Sequence, residues 1–277
     1  MENCLPAAAC KRRKVYKMKT LLSVVLTLQF SSCAFAQDAP KPIRAVLAGV
    51  VNSSKDRHTI MLRTTADALR MELVKIGTYD VLPWSEVEHV AKLLKIESPQ
   101  TEDEYIAIAK RAEAQVVIVG EIKSVDIRTR DKAPEVEVSL VVRVRDAMTD
   151  ELVNGAAERG TARDVKGGSK TEALMIVDAA ESAAVRCAAR MAAYRPVEGT
   201  ILNSPGNGPI VLNRGLGHGL KSKQEFVVFR GGVKVGRLSV GKVFPQYSEM
   251  GVVQNIAGIQ PGDHVVSIFP EPRFSTK

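Results

Sequence analysis

Long hydrophobic runs are missing where an anchor would need one. The apolar segment Leu21 to Phe30 spans about ten residues, well short of the roughly twenty required to cross a bilayer as a helix. A stable transmembrane anchor is therefore not expected. Cysteine is scarce: of Cys4, Cys10, Cys33 and Cys187, only the last lies beyond residue 36. One remaining thiol cannot close an internal disulfide, so the fold must stand on its core. His58, His89, His218 and His264 are scattered, with no H-x-x-x-H pair and no cysteine partners, and no metal site is expected. No G-x-S-x-G elbow precedes a helix. No strong internal repeat and no low-complexity block appears, and no motif asks for a cofactor.

What is present begins with a leader. Lys11, Arg12, Arg13, Lys14, Lys17 and Lys19 precede the apolar run, and small residues follow it. A basic head, a short apolar middle and a small-x-small site form a secretory signal peptide over residues 1–36. Met18 offers a second start, because "MKTLLSVVLTLQFSSCAFA" is a complete signal peptide by itself; residues 1–17 are then an extension. Two processing signals overlap. Ala34 and Ala36 form an A-x-A site with cleavage before Gln37, whereas Phe30-Ser31-Ser32-Cys33 resembles a lipoprotein box with Phe in place of the usual Leu. Cleavage after Ala36 is the preferred reading because its signal has no flaw; lipidation at Cys33, and with it membrane association, is the alternative. Either way the chain is expected to leave the cytoplasm, for the periplasm or the outer membrane.

The leader also explains most of the positive charge. The formal net charge is +8, and it falls to +3 without residues 1–36, which carry six basic residues and one acid. A basic balance raises nucleic-acid binding as a possibility; here the excess is mainly targeting signal, and no nucleic-acid partner is expected. About 240 residues remain, enough for one or two domains with a real core.

"PIRAVLAGVV" is a continuous apolar strand of the buried kind. Leu62, Ala66, Leu69, Leu73 and Ile76 form a helical stripe, ended by Gly77 at a C-cap position. "YDVLP" reads as a short strand, Ser85 as the cap of a second helix, and "TEDE" from Thr101 as the capping box of a third that runs to Ala112. Gln115 to Ile122 is another buried strand. Val136 to Val144 alternates with Glu135, Glu137, Ser139, Arg143 and Arg145, giving a strand with one buried and one wet face, and Leu152 to Asp164 returns antiparallel. Gly167-Gly168-Ser169 reads as a break before a long helix whose stripe contains Leu174, Val177, Ala180, Ala184, Cys187 and Met191. The expectation is an α/β (α+β) sandwich over 42–194 with helices on a mixed sheet. From Pro196 no helical stripe appears, and short β-rich runs separated by Gly, Pro and Asn predict a small all-β barrel over 196–270.

Three stretches resemble known families. "RAVLAGVV", Gly77-Thr78-Tyr79-Asp80-Val81 and Ala114 through Gly120 resemble the N-terminal half of the CsgG-type curli-assembly family and the related N-terminal domain of TolB. "DAMTDE" is similar to that family's D-x-x-T-G-E turn: Asp146, Thr149 and Glu151 match, and Asp150 stands where Gly is expected. In the C-terminal part, Asn213, Gly215, Gly219, Gly236, Ser248, Gly262 and Asp263 fall on the pattern of the small β-domain that ends the flagellar assembly protein FlgT, with Lys223 replacing an expected Gly. The resemblance implies an envelope protein that binds other proteins or itself. A curli-type secretion channel, carried by a lipoprotein, is a second implication. The channel makes its pore with long membrane-crossing hairpins, whereas here the links Ile122 to Val136 and Asp146 to Leu152 are short and charged, so no pore is expected.

The sharper chemical readings give way to structural ones. "GLGHG", Gly215 to Gly219, is followed by a turn and a strand rather than a helix, so it reads as a corner between strands and not as a phosphate loop. Cys187 sits among alanines on an apolar stripe, where a thiol stays protonated. Glu102, Asp103 and Glu104 suit a helix N-terminus, and Trp84 reads as a staple between helix and sheet. No catalytic residue is expected. The exposed edge of a mixed sheet is the feature with the strongest functional implication, so the leading expectation is a non-enzymatic assembly or accessory subunit. A hydrolytic or glycan-binding module with a site near Tyr194, where the two parts meet, is the alternative from another class.

Overall fold

The computed structural model describes residues 41–54, 60–97, 101–130, 133–164, 170–206 and 208–275. The candidate processing residues Cys33, Ala34 and Ala36, together with His58 and the Gly167 to Ser169 break, lie outside the described residues.

The first part of the chain is built as β1 (Ile43–Asn52), α1 (Ile60–Ile76), β2 (Tyr79–Val81), α2 (Trp84–Leu93), α3 (Glu102–Arg111), β3 (Val116–Arg130), β4 (Ala133–Asp146), β5 (Leu152–Arg163) and α4 (Glu172–Ala193). Its sheet has the order β2-β1-β3-β4-β5. The crossovers make β1 parallel to both β2 and β3, and hairpins then add β4 and β5 antiparallel. Apolar side chains fill both faces of β1 and β3. Ala45, Leu47, Ile118 and Ile122 pack with α1 and α4, while Val46, Val117 and Val119 pack with α2 and α3. That two-sided burial is why both strands read as unbroken apolar runs.

The expected α/β sandwich is thus observed, with local corrections. The α1 stripe is turned by one position: Met61, Thr65, Leu69 and Leu73 are buried, and Ile76 is 38% exposed. Thr65 tolerates burial because its hydroxyl donates to the Met61 carbonyl. Helix α2 starts at Trp84 with Pro83, not Ser85, at its N-cap and no side-chain cap; proline at a helix entrance supplies a compatible φ and needs no donor. The capping box at Thr101 is present, Glu104 N donating to Thr101 Oγ1 and Thr101 N donating to Glu104 Oε2 at 2.6 Å. The largest correction concerns the link from Ile122 to Val136. It is strand, not loop: β3 and β4 stay paired out to Arg130 and Ala133, because Val125, Ile127, Val136 and Val138 keep the two-residue period.

Helix α4 lies unusually close to β5. Ala179, Ala180, Ala183, Ala184 and Ala188 form its buried face. At Gly160 on β5, a Cβ would stand 2.0 Å from the Ala179 carbonyl oxygen and 2.3 Å from Ala183 N. Small residues on both surfaces permit that approach. The sheet also curls so far that its two edges meet over the core: Asn154 Nδ2 on β5 donates to the Tyr79 hydroxyl on β2 and to the Met191 carbonyl at the end of α4, each at 2.9 Å.

The second part is β6 (Glu198–Asn203), β7 (Ile210–Leu212), β8 (Glu225–Arg230), β9 (Val233–Val243), β10 (Ser248–Asn255) and β11 (His264–Ser267). These strands close into a barrel ordered β10-β7-β6-β11-β8-β9, with every described pairing antiparallel. Phe226, Leu238, Leu212 and Val265 fill it. Asp263 is buried there against Arg230, which donates from Nε and Nη2 at 2.8 Å each. Residues Pro42–Lys277 form one compact unit.

Candidate interaction site

The barrel is fixed to the sheet by a small set of polar contacts. Glu151, in the β4–β5 turn, is 9% exposed and accepts from Lys234 Nζ of β9 at 2.7 Å, with Arg237 Nε 3.6 Å away. Arg237 also donates to Glu225 of β8. Phe269 N donates to the Leu152 carbonyl at 2.7 Å, and the Phe269 ring meets Tyr194 edge-on at 4.7 Å. The chain after β11 therefore leaves the barrel and runs onto β5.

That C-terminal segment crosses the face expected to be simply wet. Arg143 on β4 donates from Nε to Glu271 at 2.6 Å and from Nη1 to Glu121 of β3 at 2.8 Å. Arg159 lies over the Phe274 ring, 5.1 Å from its centroid, within cation–π range. Gly155 on β5 makes room for the crossing, since a Cβ there would stand 2.7 Å from Pro272 Cγ. Glu121 also accepts from Ser53 Oγ and Lys123 Nζ. Burial alone would raise its pKa, but the hydrogen bonds from Lys123, Ser53 and Arg143 together outweigh it and hold the carboxyl at about 2. Arg145 binds Glu102 and Asp150. The checkerboard of Glu and Arg is a paired network under the C-terminal segment.

Farther out on the same three strands, β3 runs beyond its parallel neighbour. Strand β1 pairs with β3 only as far as Ile122, and among the described residues no strand lies against the other edge of β3 from Lys123 to Arg130. Ile127, Arg128, Thr129 and Arg130 are exposed there. Unpaired backbone donors and acceptors on a regular strand form a template for another strand.

Two cavities open elsewhere. One, of about 670 Å³, lies where α4 ends against the barrel and is lined by Tyr194, Arg195, His218, Lys221, Lys223 and Phe269, among others. The other, of about 700 Å³, lies at the C-terminal end of β1 between α1 and α2, with Leu47, Gly49 and Val50 behind it and Arg70, Trp84 and Glu88 at its sides. Helix α1, which follows β1, and helix α2, which follows β2, pack on opposite faces of the sheet and flank this crevice. Trp84 is 46% exposed at this crevice, which corrects its reading as a staple: with Pro83 as cap it is the first residue of α2 and faces outward.

The other singled-out residues have structural jobs. Cys187 is fully buried, and desolvation pushes its thiol up to about 12. Gly215 sits under the Phe244 carbonyl, where a Cβ would come within 2.2 Å, and Gly215 N donates to His218 Nδ1 at 3.2 Å, so "GLGHG" is a strand corner. Gly219 and Gly262 have φ of +76° and +90°. Asn213 Oδ1 accepts from Thr200 N. The two positions where the family patterns expect Gly are also left-handed here, Asp150 at φ +60° and Lys223 at φ +65°. Among the described residues no group of three or more His, Cys, Asp or Glu side chains is placed to hold a metal, and no helix is long and apolar enough to cross a membrane.

No family model matches the sequence, and no curated protein matches it. Solved structures similar to it include the C-terminal domain of LpoB from Salmonella enterica, 17% identical over 53% of this chain and 96% of that one, with a TM-score of 0.33. The lipoprotein GNA1162 from Neisseria meningitidis is 14% identical over 46% of this chain and 88% of that one, with a TM-score of 0.38. The hypothetical protein CT253 from Chlamydia trachomatis is 12% identical over 55% and 97%, with a TM-score of 0.40. Likenesses this distant say nothing of activity or partners, and these three do not confirm the resemblance to the curli, TolB and FlgT families.

Proposed function

We propose that this chain is an exported, non-enzymatic accessory protein of the cell envelope that works by binding other proteins. It is carried out of the cytoplasm by the leader over 1–36 and resides in the periplasm or at the outer membrane. The observation that carries the binding role is the edge of β3 from Lys123 to Arg130, which has no strand neighbour among the described residues. A partner strand laid there gains main-chain hydrogen bonds, while Ile127, Arg128 and Arg130 give it side-chain selectivity. The expectation of two domains, 42–194 and 196–270, enters as part of this reading: the first carries the binding edge and the second buttresses it through Glu151.

A photo-crosslinking amino acid placed at Thr129 in intact cells tests the edge. A discrete adduct that disappears when Ile127 is replaced by Pro, which cannot sit in a paired strand, supports the proposal. Absence of any adduct at Thr129 and at Ile127 overturns it. Intact mass and N-terminal sequencing of the cell-derived protein then separate the two processing routes: a start at Gln37 makes it a free periplasmic factor, and an acylated Cys33 makes it a lipoprotein on a membrane face.

A further inference from the structure

We infer that the cavity at the end of α4 binds an acidic saccharide, with its anionic group on Lys221 and Lys223 and its ring beside Tyr194. The electrostatics single this cavity out. Around the place where barrel and sheet meet, Arg143, Arg145, Lys234 and Arg237 each hold a carboxylate. Lys221 and Lys223 line the cavity and form no ion pair among the described residues, and Arg195 beside them spends its hydrogen bonds on the carbonyls of Ala192 and Tyr194 at the helix end. The one acid in the lining, Glu225, is already neutralised by Arg237. The result is a concave surface with uncompensated positive charge, in which an anion meets no competing carboxylate.

Backbone strain is the second observation. Lys223 adopts φ +65°, a left-handed conformation that strains a side-chain-bearing residue and not glycine. Its amide donates to the Val240 carbonyl at 2.9 Å, and the turn that contains it is closed by Gln224 N donating to the Lys221 carbonyl at 3.2 Å, so the turn itself needs nothing from the lysine side chain. A lysine held in a glycine conformation at the rim of a basic cavity points to a role for its ammonium group. The aromatic floor gives the second half of the ligand. Tyr194 and Phe269 pack edge to face, and Tyr194 is only partly buried, a surface suited to the apolar face of a sugar ring. The choice of a saccharide rests on the export reading, since acidic glycans are what an envelope protein meets; the cationic cavity does not.

The test is calorimetric titration of the full chain, expressed with its own leader and purified, against muramyl dipeptide, glucose 6-phosphate and neutral N-acetylglucosamine. Binding of either acidic probe, without binding of the neutral one, is expected, and which acid binds identifies carboxylate or phosphate as the anchor. Lys221→Ala and Lys223→Gly should each weaken it about tenfold, the loss of one charge-assisted contact. Lys223→Gly should at the same time raise the melting temperature, so weaker binding by that variant cannot be blamed on unfolding. Equal binding of the neutral sugar, no binding of either acid, or affinities unmoved by both variants would each overturn the site. These outcomes are independent of crosslinking at Thr129, which lies on a different part of the molecule.

Discussion

Cys187 and Asn154 illustrate how single residues are decided by what surrounds them. The Cys187 thiol sits at the α4–sheet contact with its pKa pushed to about 12 by desolvation, so the thiolate is negligible at neutral pH. We expect no labelling by a thiol reagent in the native state and one equivalent after denaturation, given a protein processed before Gln37; rapid native labelling would contradict the burial. Asn154 ties the two sheet edges and the end of α4 together. Asn154→Ala leaves the Met191 carbonyl and the Tyr79 hydroxyl without their donor, and a cost of about 2 kcal/mol is expected in chemical denaturation. Only the first role is visible locally: the Cys187 stripe was legible from its alanines, whereas nothing around Asn154 announces a partner on β2.

At the scale of elements, the contact of α4 with β5 is set by missing side chains. A methyl group at Gly160 would collide with the α4 backbone itself, at the Ala179 carbonyl and Ala183 amide, and backbone yields less readily than a side chain. Gly160→Ala should therefore cost about 3 kcal/mol or prevent folding. Gly251→Ala is the control: its nearest new neighbour is the Ser239 carbonyl at 3.9 Å, ordinary contact, and a change within about 0.5 kcal/mol is expected. Similar losses in the two variants would mean that glycine is needed for strand propensity rather than for the helix approach. The alternating period of Val136 to Val144 identified β4, and the capping box at Thr101 identified the start of α3. A two-residue period of its own runs through Val125 and Ile127, but the charges around them made that stretch read as a link. It is strand because that period is answered by β4, which pairs with it out to Arg130 and Ala133.

The whole molecule carries a pH dependence that follows from its carboxylates. Glu121 titrates at about 2 when folded, against an ordinary value of 4.5: burial raises it, and the Lys123, Ser53 and Arg143 bonds lower it by more. Asp263 is also lowered, by its Arg230 hydrogen bonds first, against the opposing effect of burial. A group whose folded pKa lies below its unfolded value binds fewer protons when folded, so it stabilises the fold above the unfolded pKa and loses that contribution as pH falls through the folded one. For Glu121 the loss falls between about pH 4.5 and pH 2. The melting temperature should drop through that window, and Glu121→Gln should flatten the drop; equal slopes for the two proteins would show that the Glu121 network contributes nothing to acid sensitivity.

By itself the sequence determined the class of each part and the change from helix-and-strand alternation to a short-stranded barrel, because these depend on composition and on periods of two and 3.6 residues that are local. It also marked Asp150 and Lys223 as departures from glycine. Only the tertiary structure decided what those departures mean, since a left-handed φ is a property of the closed turn. The edge of β3 that has no strand neighbour among the described residues, the C-terminal segment docked on Arg143 and Arg159, the outward Trp84 and the basic cavity beside Tyr194 belong to the same class. Each depends on residues far apart in sequence being brought together by the curl of one sheet and the closure of one barrel, and no local pattern encodes such a meeting.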